Sequence, residues 1–360
     1  MSGLAGVRCD FPDLGDLAYL DTASKAVPPA HAVEALRREV AAWAAGTASS
    51  EAWSEAAERA RGHVARMLGR ESRDVAVLTS HVAAAGTVAR AFPDAAVVVP
   101  EQEFRSNLLP WLHGRDRVRL VPAPATTEAI CAAIDAGTDL VAVSSVQSAD
   151  GLRVDLPRIV AHAHRHGALV HVDASQSFGV DATLRDCGAD FIGAVAYKWL
   201  LGARGAAFLA VRPEHRGAIP PLTLAPGGVT DGSMYGPEYA PWDDARRFDQ
   251  PPAWLSWIAT AAGLDVLSRY DTAELDAHAT RLSGRFRSGV RDLGLTPSPS
   301  DVPSAIVRAA HPAPDAAVTA LAEAGVRAAA RDGALRFAFH LYTTEADVYR
   351  ALTTLSSLRT

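Results

Sequence analysis

The chain has 360 residues, a formal net charge of −6, 49% hydrophobic residues and 21% charged residues. Its length predicts two domains, or one large domain with a smaller one, and its composition is typical of a folded globular protein rather than a disordered one. The negative charge and the scattering of arginines among acidic residues argue against nucleic acid or an anionic membrane as a partner.

The cysteines and the N-terminal residues bear on the cellular compartment. Cys9, Cys131 and Cys187 show no CxxC spacing, and an odd number of cysteines suits a reducing compartment. The N-terminal residues have no apolar core of the signal-peptide type, and no run of the chain approaches eighteen apolar residues. We therefore expect a cytoplasmic protein.

Helical and strand patterns alternate through the first 211 residues of the chain. Two amphipathic helices are predicted within residues 28–68, followed by a strand in DVAVLTS and a helix in HVAAAGTVARAF. The segment EFRSNLLPWLHG is a loop or helix, and further helices are predicted in TTEAICAAIDAG and LPRIVAHAHRHG. Further apolar strands are predicted in AAVVVP, RVRLVPA, LVAVSSV, ALVHVDAS, FIGAVAY and AAFLAVR. Wholly apolar strands that alternate with helices indicate a mostly parallel sheet covered on both faces.

The remainder of the chain divides into a long irregular segment and a region of mixed pattern. Residues 220–250 are rich in glycine, proline and aromatic residues, and loops of this length in compact proteins are usually functional. Candidates for a specificity role in this loop are Tyr235, Tyr239, Trp242 and Arg246. After it, helices in WLSWIATAAGLDVLSRY and AELDAHATRLSGRFRSGVRDL alternate with short strands in AIVRAA and ALRFAFH, which predicts an α+β domain. We expect a large domain over 15–250, a small domain over 251–360, and packing of residues 1–30 on the small domain.

Several common site types lack their motifs. No GxGxxG follows a predicted strand, no GxxxxGK[ST] is present, and no GxSxG elbow supports a serine hydrolase. Four histidines, His162, His164, His166 and His171, form a cluster in the sequence. Because only His162 and His166 share a helix face and no HExxH glutamate lies between them, no metal site is predicted.

An acid and a lysine stand at the ends of two predicted strands. Of the 35 lysines and arginines, only Lys25 and Lys198 are lysines, and Lys198 follows the apolar run FIGAVAY. A lysine amine, unlike an arginine, can lose its proton and form a Schiff base. Asp173 ends the strand of HVDASQS, where an unpaired carboxylate would be costly. Pyridoxal phosphate requires such a lysine, an acid for its pyridine nitrogen and amides of a helix N-terminus for its phosphate. The alternatives are a lysine kept by chance and an aspartate that caps the next helix.

These motifs resemble the class V aminotransferase family of pyridoxal-phosphate enzymes of fold type I, nearest to its isopenicillin N epimerase-like and ergothioneine C–S lyase-like members. The resemblance runs from AYLDTAS to HLYTTEADVYRAL and includes VHVDASQSFGVDATLRDCGADFIGAVAYK, EFRSNLLPW and KWLLGARG. It implies an α/β fold with a mostly parallel seven-stranded sheet between helices, a smaller C-terminal α+β domain and a homodimer. Residues 28–68 and 235–257 are the expected interface.

The resemblance also implies roles for individual residues. Lys198 would bind the cofactor aldehyde, Asp173 the pyridine nitrogen, and Arg336 the substrate carboxylate. The other residues that the resemblance places around the cofactor are Gln176 and Ser148 near the ring 3-oxygen, Phe104 on the ring face, and Tyr197, Ser80, His81 and Val82 at the phosphate. The chain departs from the family pattern at two contacts, since Ala83 and Pro252 stand where hydroxyl residues are usual.

The reaction is less well defined by the sequence than the cofactor is. Persulfide-forming desulfurases of the family need a cysteine shortly before the substrate arginine, and no cysteine follows Cys187. We therefore expect C–S bond cleavage by β-elimination of a cysteine S-conjugate, or a related reaction. An aminotransferase, an amino-acid epimerase, a decarboxylating oxidative deaminase and a non-catalytic pyridoxal-phosphate-binding protein remain alternatives.

Strand alternation gives an independent expectation for Arg336. In ALRFAFH it places Arg336, Ala338 and His340 on one face and Phe337 and Phe339 on the other. The phenylalanine face suits a core, so the arginine face looks towards solvent or a cleft. A solvent-exposed arginine in a screened ion pair is the alternative.

Overall fold

The computed structural model describes residues 6–230, 235–299 and 302–358. The first elements are strand β1 (Ala18–Tyr19) and helices α1 (Ala30–Ala44) and α2 (Ser50–Met67). The strands of the central sheet then follow as β2 (Val75–Leu78), β3 (Val97–Pro100), β4 (Val118–Val121), β5 (Leu140–Ser144), β6 (Leu169–Asp173), β7 (Phe191–Val195) and β8 (Ala207–Val211). The helices between them are α3 (His81–Ala91), α4 (Arg105–Leu112), α5 (Thr127–Ala133) and α6 (Leu156–Arg165).

The central sheet has the order β2-β8-β7-β6-β5-β3-β4. Strand β8 is antiparallel to both of its neighbours, and the other pairs are parallel. Alternate side chains of each strand enter different cores: Val141 and Val143 of β5 lie in one, Leu140 and Ala142 in the other. The predicted mostly parallel seven-stranded sheet between helices is confirmed. Because β5, β6 and β7 are parallel neighbours, their carboxyl ends lie side by side.

The C-terminal part of the chain builds a second, smaller sheet. This part of the chain contains helices α7 (Trp254–Leu267), α8 (Thr272–Asp292), α9 (Pro314–Glu323) and α10 (Glu345–Ser357). Its strands are β9 (Ile306–Ala310), β10 (Val326–Arg327), β11 (Ala329–Arg331) and β12 (Ala334–Ala338), of which β11, β12 and β9 form an antiparallel sheet in that order. Strand β1 pairs in parallel with β10, and Leu20 enters the core that includes Phe337 and Phe339. The N-terminal segment therefore contacts the C-terminal elements.

Helix α7 packs with the larger core. It contacts α1 and α2, and the Trp257 ring makes an edge contact with the ring of Phe208 of β8, with centroids 5.3 Å apart. Its apolar residues face several directions, as expected of a helix buried on most sides. The domain boundary between residues 250 and 251 stays a prediction. Because α7 packs with the larger core, we propose a later domain boundary, between α7 and α8.

The long loop over residues 220–250 contains short 3-10 turns rather than regular elements. These turns span Pro226–Gly228 and Ala245–Phe248, and residues 231–234 lie outside the described residues. The Arg246 guanidinium stacks 3.6 Å from the centroid of the Trp242 ring and pairs with Asp244 at 2.6 Å. Tyr235 and Tyr239 are exposed. A specificity role for these residues stays a prediction.

In the described parts of the chain, no helix combines the length and the apolar character needed to cross a membrane.

Candidate active site

Lys198 lies buried just beyond the end of β7. Its side chain is 7% exposed, and its Nζ lies 5.6 Å from the centroid of the Phe104 ring and 5.7 Å from that of Tyr197. Within the residues described, no carboxylate lies at ion-pair distance from this amine. Burial lowers the pKa of Lys198 to about 8; Asp173 opposes this shift, and Arg336 contributes to it. A buried amine with this proton affinity is suited to bond formation with an aldehyde.

Asp173 ends β6, directly beside β7. Its Oδ1 accepts a hydrogen bond from the Ser175 N–H at 2.8 Å, and its Oδ2 lies 3.4 Å from Nε2 of His81. The carboxylate is buried, and the residues after it form turns rather than an α-helix. The alternative that Asp173 caps a helix therefore explains only the contact of Oδ1 with its own turn. It does not explain the position of Oδ2 next to His81.

The N-terminus of α3 lies next to this carboxylate. His81 is the first residue of α3, and a Cβ on Gly193 of β7 would lie 2.9 Å from the His81 ring, so a glycine is needed for this close approach. Ser80 caps the helix by accepting a hydrogen bond from the Ala83 N–H at 3.2 Å. The amides of the first turn lack partners within a helix, which makes this end of α3 suitable for a phosphate, as predicted for Ser80, His81 and Val82.

Gln176 and Ser148 form part of one hydrogen-bond network. Nε2 of Gln176 donates to the Ala23 carbonyl and to Oγ of Ser148, both at 3.0 Å. Oε1 of Gln176 accepts a hydrogen bond from Nε1 of Trp199 at 3.1 Å. Since Trp199 follows Lys198 in the chain, this network connects the lysine loop with the end of β5.

Arg336 joins the same network from the smaller sheet. Its side chain is 3% exposed, and Nη1 donates to the Ser148 carbonyl at 2.7 Å while Nη2 donates to Oγ of Ser24 at 2.9 Å. The nearest carboxylate oxygen, of Asp21, is 4.0 Å away, and Nε has no hydrogen-bond partner in the described part of the chain. Burial lowers the pKa of Arg336 to about 10, and the charge of Arg331 adds to this. Burial of the guanidinium excludes the alternative of a solvent-exposed arginine.

Phe104 and Tyr197 are the aromatic residues nearest the lysine. Phe104 immediately precedes α4, and its side chain is 54% exposed, so one face of the ring is open. Tyr197 is half-buried, and burial raises the pKa of its hydroxyl. Both rings could cover a flat cofactor beside Lys198.

Three contacts of the site were not predicted from the sequence. Asp21 and Ser24, which lie in the AYLDTAS segment, approach Arg336, and Arg331 donates to the same Ser24 hydroxyl at 3.1 Å. Glu103 is a further buried acid that precedes Phe104. Its position as the first residue of EFRSNLLPW was visible in the sequence, but its hydrogen-bond partners were not.

Of the four histidines that cluster in the sequence, two pack against each other in the structure and the other two have separate surroundings. His162 of α6 and His166, the residue that follows α6, have ring centroids 4.9 Å apart, whereas Nε2 of His164 lies 2.9 Å from Asp190. His171 lies on β6, fully buried, and neither of its ring nitrogens has a partner among the residues described. No group of three potential ligands that could hold a metal occurs within the described ranges.

The burial of His171 makes the fold sensitive to acid. Burial lowers the pKa of His171 well below its usual value, so the unfolded chain binds a proton that the folded chain excludes. Stability is therefore lost as the pH falls below about 6.5, at up to about 1.4 kcal/mol per pH unit for this group. Guanidinium unfolding between pH 7 and pH 5 should show a smaller loss for His171→Leu than for the wild type. His31→Leu, at an exposed position of α1, is the control and should lose as much stability as the wild type.

The comparisons with known proteins agree on one family. The sequence model of the family "Aminotransferase class-V" matches residues 18–350. A probable cysteine desulfurase of Methanothermobacter thermautotrophicus is 31% identical over 80% of this chain and 76% of that protein. The kynureninase of Pseudomonas fluorescens is 28% identical over 99% of this chain and 92% of that protein. Among solved structures, the complex of the cystine C–S lyase C-DES with cysteine persulfide matches with a TM-score of 0.85 at 19% identity, over 96% of this chain and 99% of that one.

Proposed function

Because the chain belongs to the class V aminotransferase family, whose members depend on pyridoxal phosphate, we propose that it cleaves the C–S bond of a cysteine S-conjugate by β-elimination. The observation that supports this proposal most is that Lys198 follows β7, Asp173 ends the adjacent β6, and Arg336 of β12 donates a hydrogen bond to Ser148 beyond β5. Lys198 and Arg336 influence each other electrostatically, as do Lys198 and Asp173.

The residues present fit pyridoxal phosphate. Lys198 offers a buried amine without an ion-pair partner in the described residues, Asp173 has one oxygen directed away from its turn, and α3 offers first-turn amides. Lys198 would hold the aldehyde carbon, Asp173 the pyridine nitrogen, and α3 the phosphate. When bound, pyridoxal phosphate supplies an electron sink that allows a proton to leave the substrate Cα.

The protein's own side chains would bind the substrate and move its protons. Arg336 would bind the carboxylate through two parallel N–H···O bonds and so fix the orientation of the Cα substituents. Lys198, with a pKa of about 8, would accept the Cα proton in its neutral form. Phe104 would cover the open face of the site and exclude water.

The positions of the cysteines favour elimination over persulfide formation. Cys187 lies before β7, whereas Lys198 lies beyond the other end of that strand, and burial raises the pKa of the Cys187 thiol. Cys131 is buried in α5, and Cys9 lies in an exposed turn near the N-terminus. No cysteine occurs between residues 188 and 360, so the segment before Arg336 offers no thiol to accept sulfur. A free thiol is then the expected sulfur product.

The proposal is tested with the purified holoenzyme and a panel of amino acids and cysteine S-conjugates. Elimination consumes one water and releases thiol, pyruvate and ammonia in equal amounts, and this stoichiometry is the expected result. A keto-acid-dependent amino transfer, a change of configuration at Cα, or oxygen consumption with release of carbon dioxide would instead identify one of the family's other reactions. Cofactor binding without turnover of any substrate would indicate a non-catalytic protein.

The homodimer stays a prediction. The face formed by α1 and α7 exposes Trp43 at 62% and Trp254 at 41%, which lie within the two segments expected at the interface. Exposed aromatic side chains of this size are typical of surfaces covered in an oligomer.

A further inference from the structure

Glu103 is a buried acid at the site that the proposed roles leave unused. It lies in the turn between β3 and α4, and it is 5% exposed. Its Oε1 accepts hydrogen bonds from the Ser144 N–H at 2.6 Å and from Nε2 of Gln147 at 2.7 Å, and its Oε2 accepts one from the Ser144 hydroxyl. No cation lies within ion-pair distance among the described residues. A buried carboxylate without a cation is costly, and these bonds offset only part of that cost.

The contacts of Glu103 connect two parts of the site. Ser144 ends β5 and stands opposite Asp173 of β6 in the register of the sheet. Phe104, the next residue after Glu103, places its ring 5.6 Å from Nζ of Lys198. The Glu103 carboxylate therefore fastens the loop that carries Phe104 to the strand end beside Asp173.

We propose that Glu103 is a positioning residue that holds Phe104 over the Lys198 amine and places a second negative charge on the Asp173 side of the cofactor site. This inference rests on the proposed function, since it assigns Glu103 a role towards the same cofactor. A carboxylate kept only for packing would act through its hydrogen bonds, whereas this role also requires its charge.

The titratable groups around Glu103 come from β6 and α3. The charge of Asp173 acts on Glu103 from β6, Nε2 of His81 lies 3.4 Å from the Asp173 carboxylate and 3.3 Å from Oδ1 of Asn107, and the centroid of the His171 ring lies 5.6 Å from that of the His81 ring. Burial raises the pKa of Glu103 to about 7, hydrogen bonds from Ser144 oppose the shift, and the charge of Asp173 adds to it. Burial and the neighbouring Asp173 charge therefore raise the proton affinity of this carboxyl group.

Both protonation states can be accommodated by the same neighbours. The ionised form accepts the three hydrogen bonds described above. In the protonated form, the Ser144 hydroxyl can reverse and accept the proton, and Oε1 of Gln147, which has no partner among the described residues, becomes an acceptor if its amide rotates. In either arrangement of the protonated form one neighbouring donor, the Ser144 hydroxyl or Nε2 of Gln147, loses its hydrogen bond to Glu103, so the ionised form is the one that satisfies all three donors.

The test uses the holoenzyme, with Glu103→Gln, Glu103→Ala and the control Glu101→Gln. Glu101 lies two residues earlier in the same loop, is exposed, and accepts a hydrogen bond from the Ala123 N–H at 3.0 Å. Three quantities are measured: the cofactor Kd, the pH midpoint of the absorbance change of the bound cofactor, and the thermal midpoint of unfolding.

Glu103→Gln retains the shape and most hydrogen bonds of the acid and removes only its charge. We expect its pH midpoint to fall by about half a pH unit or more, because a nearby negative charge stabilises the protonated form of the nitrogen that joins Lys198 to the bound cofactor. In Glu103→Ala the loop is released, and we expect the cofactor Kd to rise by about tenfold or more. Glu101→Gln should change neither quantity.

An unchanged pH midpoint in Glu103→Gln would overturn the role of the charge, and an unchanged Kd in Glu103→Ala would overturn the positioning role. If the alanine variant does not fold, the pH midpoint of Glu103→Gln still tests the charge, and the cofactor Kd of Gln147→Ala, which removes one hydrogen bond to Glu103, tests the positioning role. A wild-type protein that does not bind pyridoxal phosphate would refute the proposed function. A wild type that binds the cofactor, with variants whose pH midpoint and Kd are unchanged, would refute only the role of Glu103.

Discussion

Replacement of Lys198 by alanine is expected to abolish turnover while leaving the fold intact. The substitution removes the buried amine that would hold the cofactor aldehyde and move the Cα proton, so kcat should fall by a factor on the order of 10⁴. Folding should persist, because the amine makes no ion pair with any described residue and a buried, unpaired ammonium does not stabilise the folded state. Steady-state kinetics and thermal unfolding of the variant measure both effects.

Covalent labelling identifies the lysine directly. The wild-type holoenzyme should be yellow, and borohydride should bleach it and fix the cofactor mass on the peptide that contains Lys198. Lys25 is the matched control, since it is the chain's other lysine and its side chain is exposed. Lys25→Ala should retain colour, label and turnover. Label on the Lys25 peptide, or a colourless protein after addition of cofactor, would contradict the assignment.

The sheet and the positions of Asp173 and Lys198 at neighbouring strand ends could be predicted because each depends on local sequence. Apolar runs of four or five residues define the strands, and in a parallel sheet the residues that follow neighbouring strands must lie close together. Asp173 and Lys198 both follow such runs. The rarity of lysine in this chain supported the second assignment, and resemblance supplied the cofactor.

The supporting contacts could not be predicted, because their partners are distant in sequence. Glu103 bonds to residues 41 and 44 positions later, and Arg336 bonds to a serine 312 positions earlier. The pattern of one segment predicts on which face of its strand or helix a side chain lies, but not which distant residue that side chain contacts. Strands β10 and β11, with two and three residues, are also too short for alternation to be recognised.

Two helices carried signals that the sequence predictions left unused. Helix α9 begins with Pro314 in its first turn, and α10 has a capping box formed by Thr344 and Asp347. Helix α7 was predicted as a helix but grouped with the small domain. Its apolar residues on nearly every side indicate burial on several faces, which a position next to the larger core provides.

Replacement of Arg336 by alanine should weaken catalysis selectively for substrates that carry a carboxylate. If Arg336 binds that carboxylate, kcat/KM for amino-acid substrates should fall by an amount equivalent to about 2–4 kcal/mol, the range for loss of one partner of a buried charge pair. Cofactor colour should remain, since Lys198 and Asp173 are unchanged. A substrate amine without the carboxylate should lose far less from the same substitution.

Arg308 provides the matched control for this prediction. It stands opposite Arg336 in the register of β9 and β12, but its guanidinium donates to the Asp332 carbonyl at 2.9 Å rather than to Ser148 or Ser24. Arg308→Ala should therefore leave the kcat/KM values of both substrates close to those of the wild type. Arg336→Lys should recover little activity, because an ammonium cannot form the two parallel bonds of a guanidinium. Equal losses for the amino acid and the amine in Arg336→Ala, or no loss for either, would remove Arg336 from the substrate site.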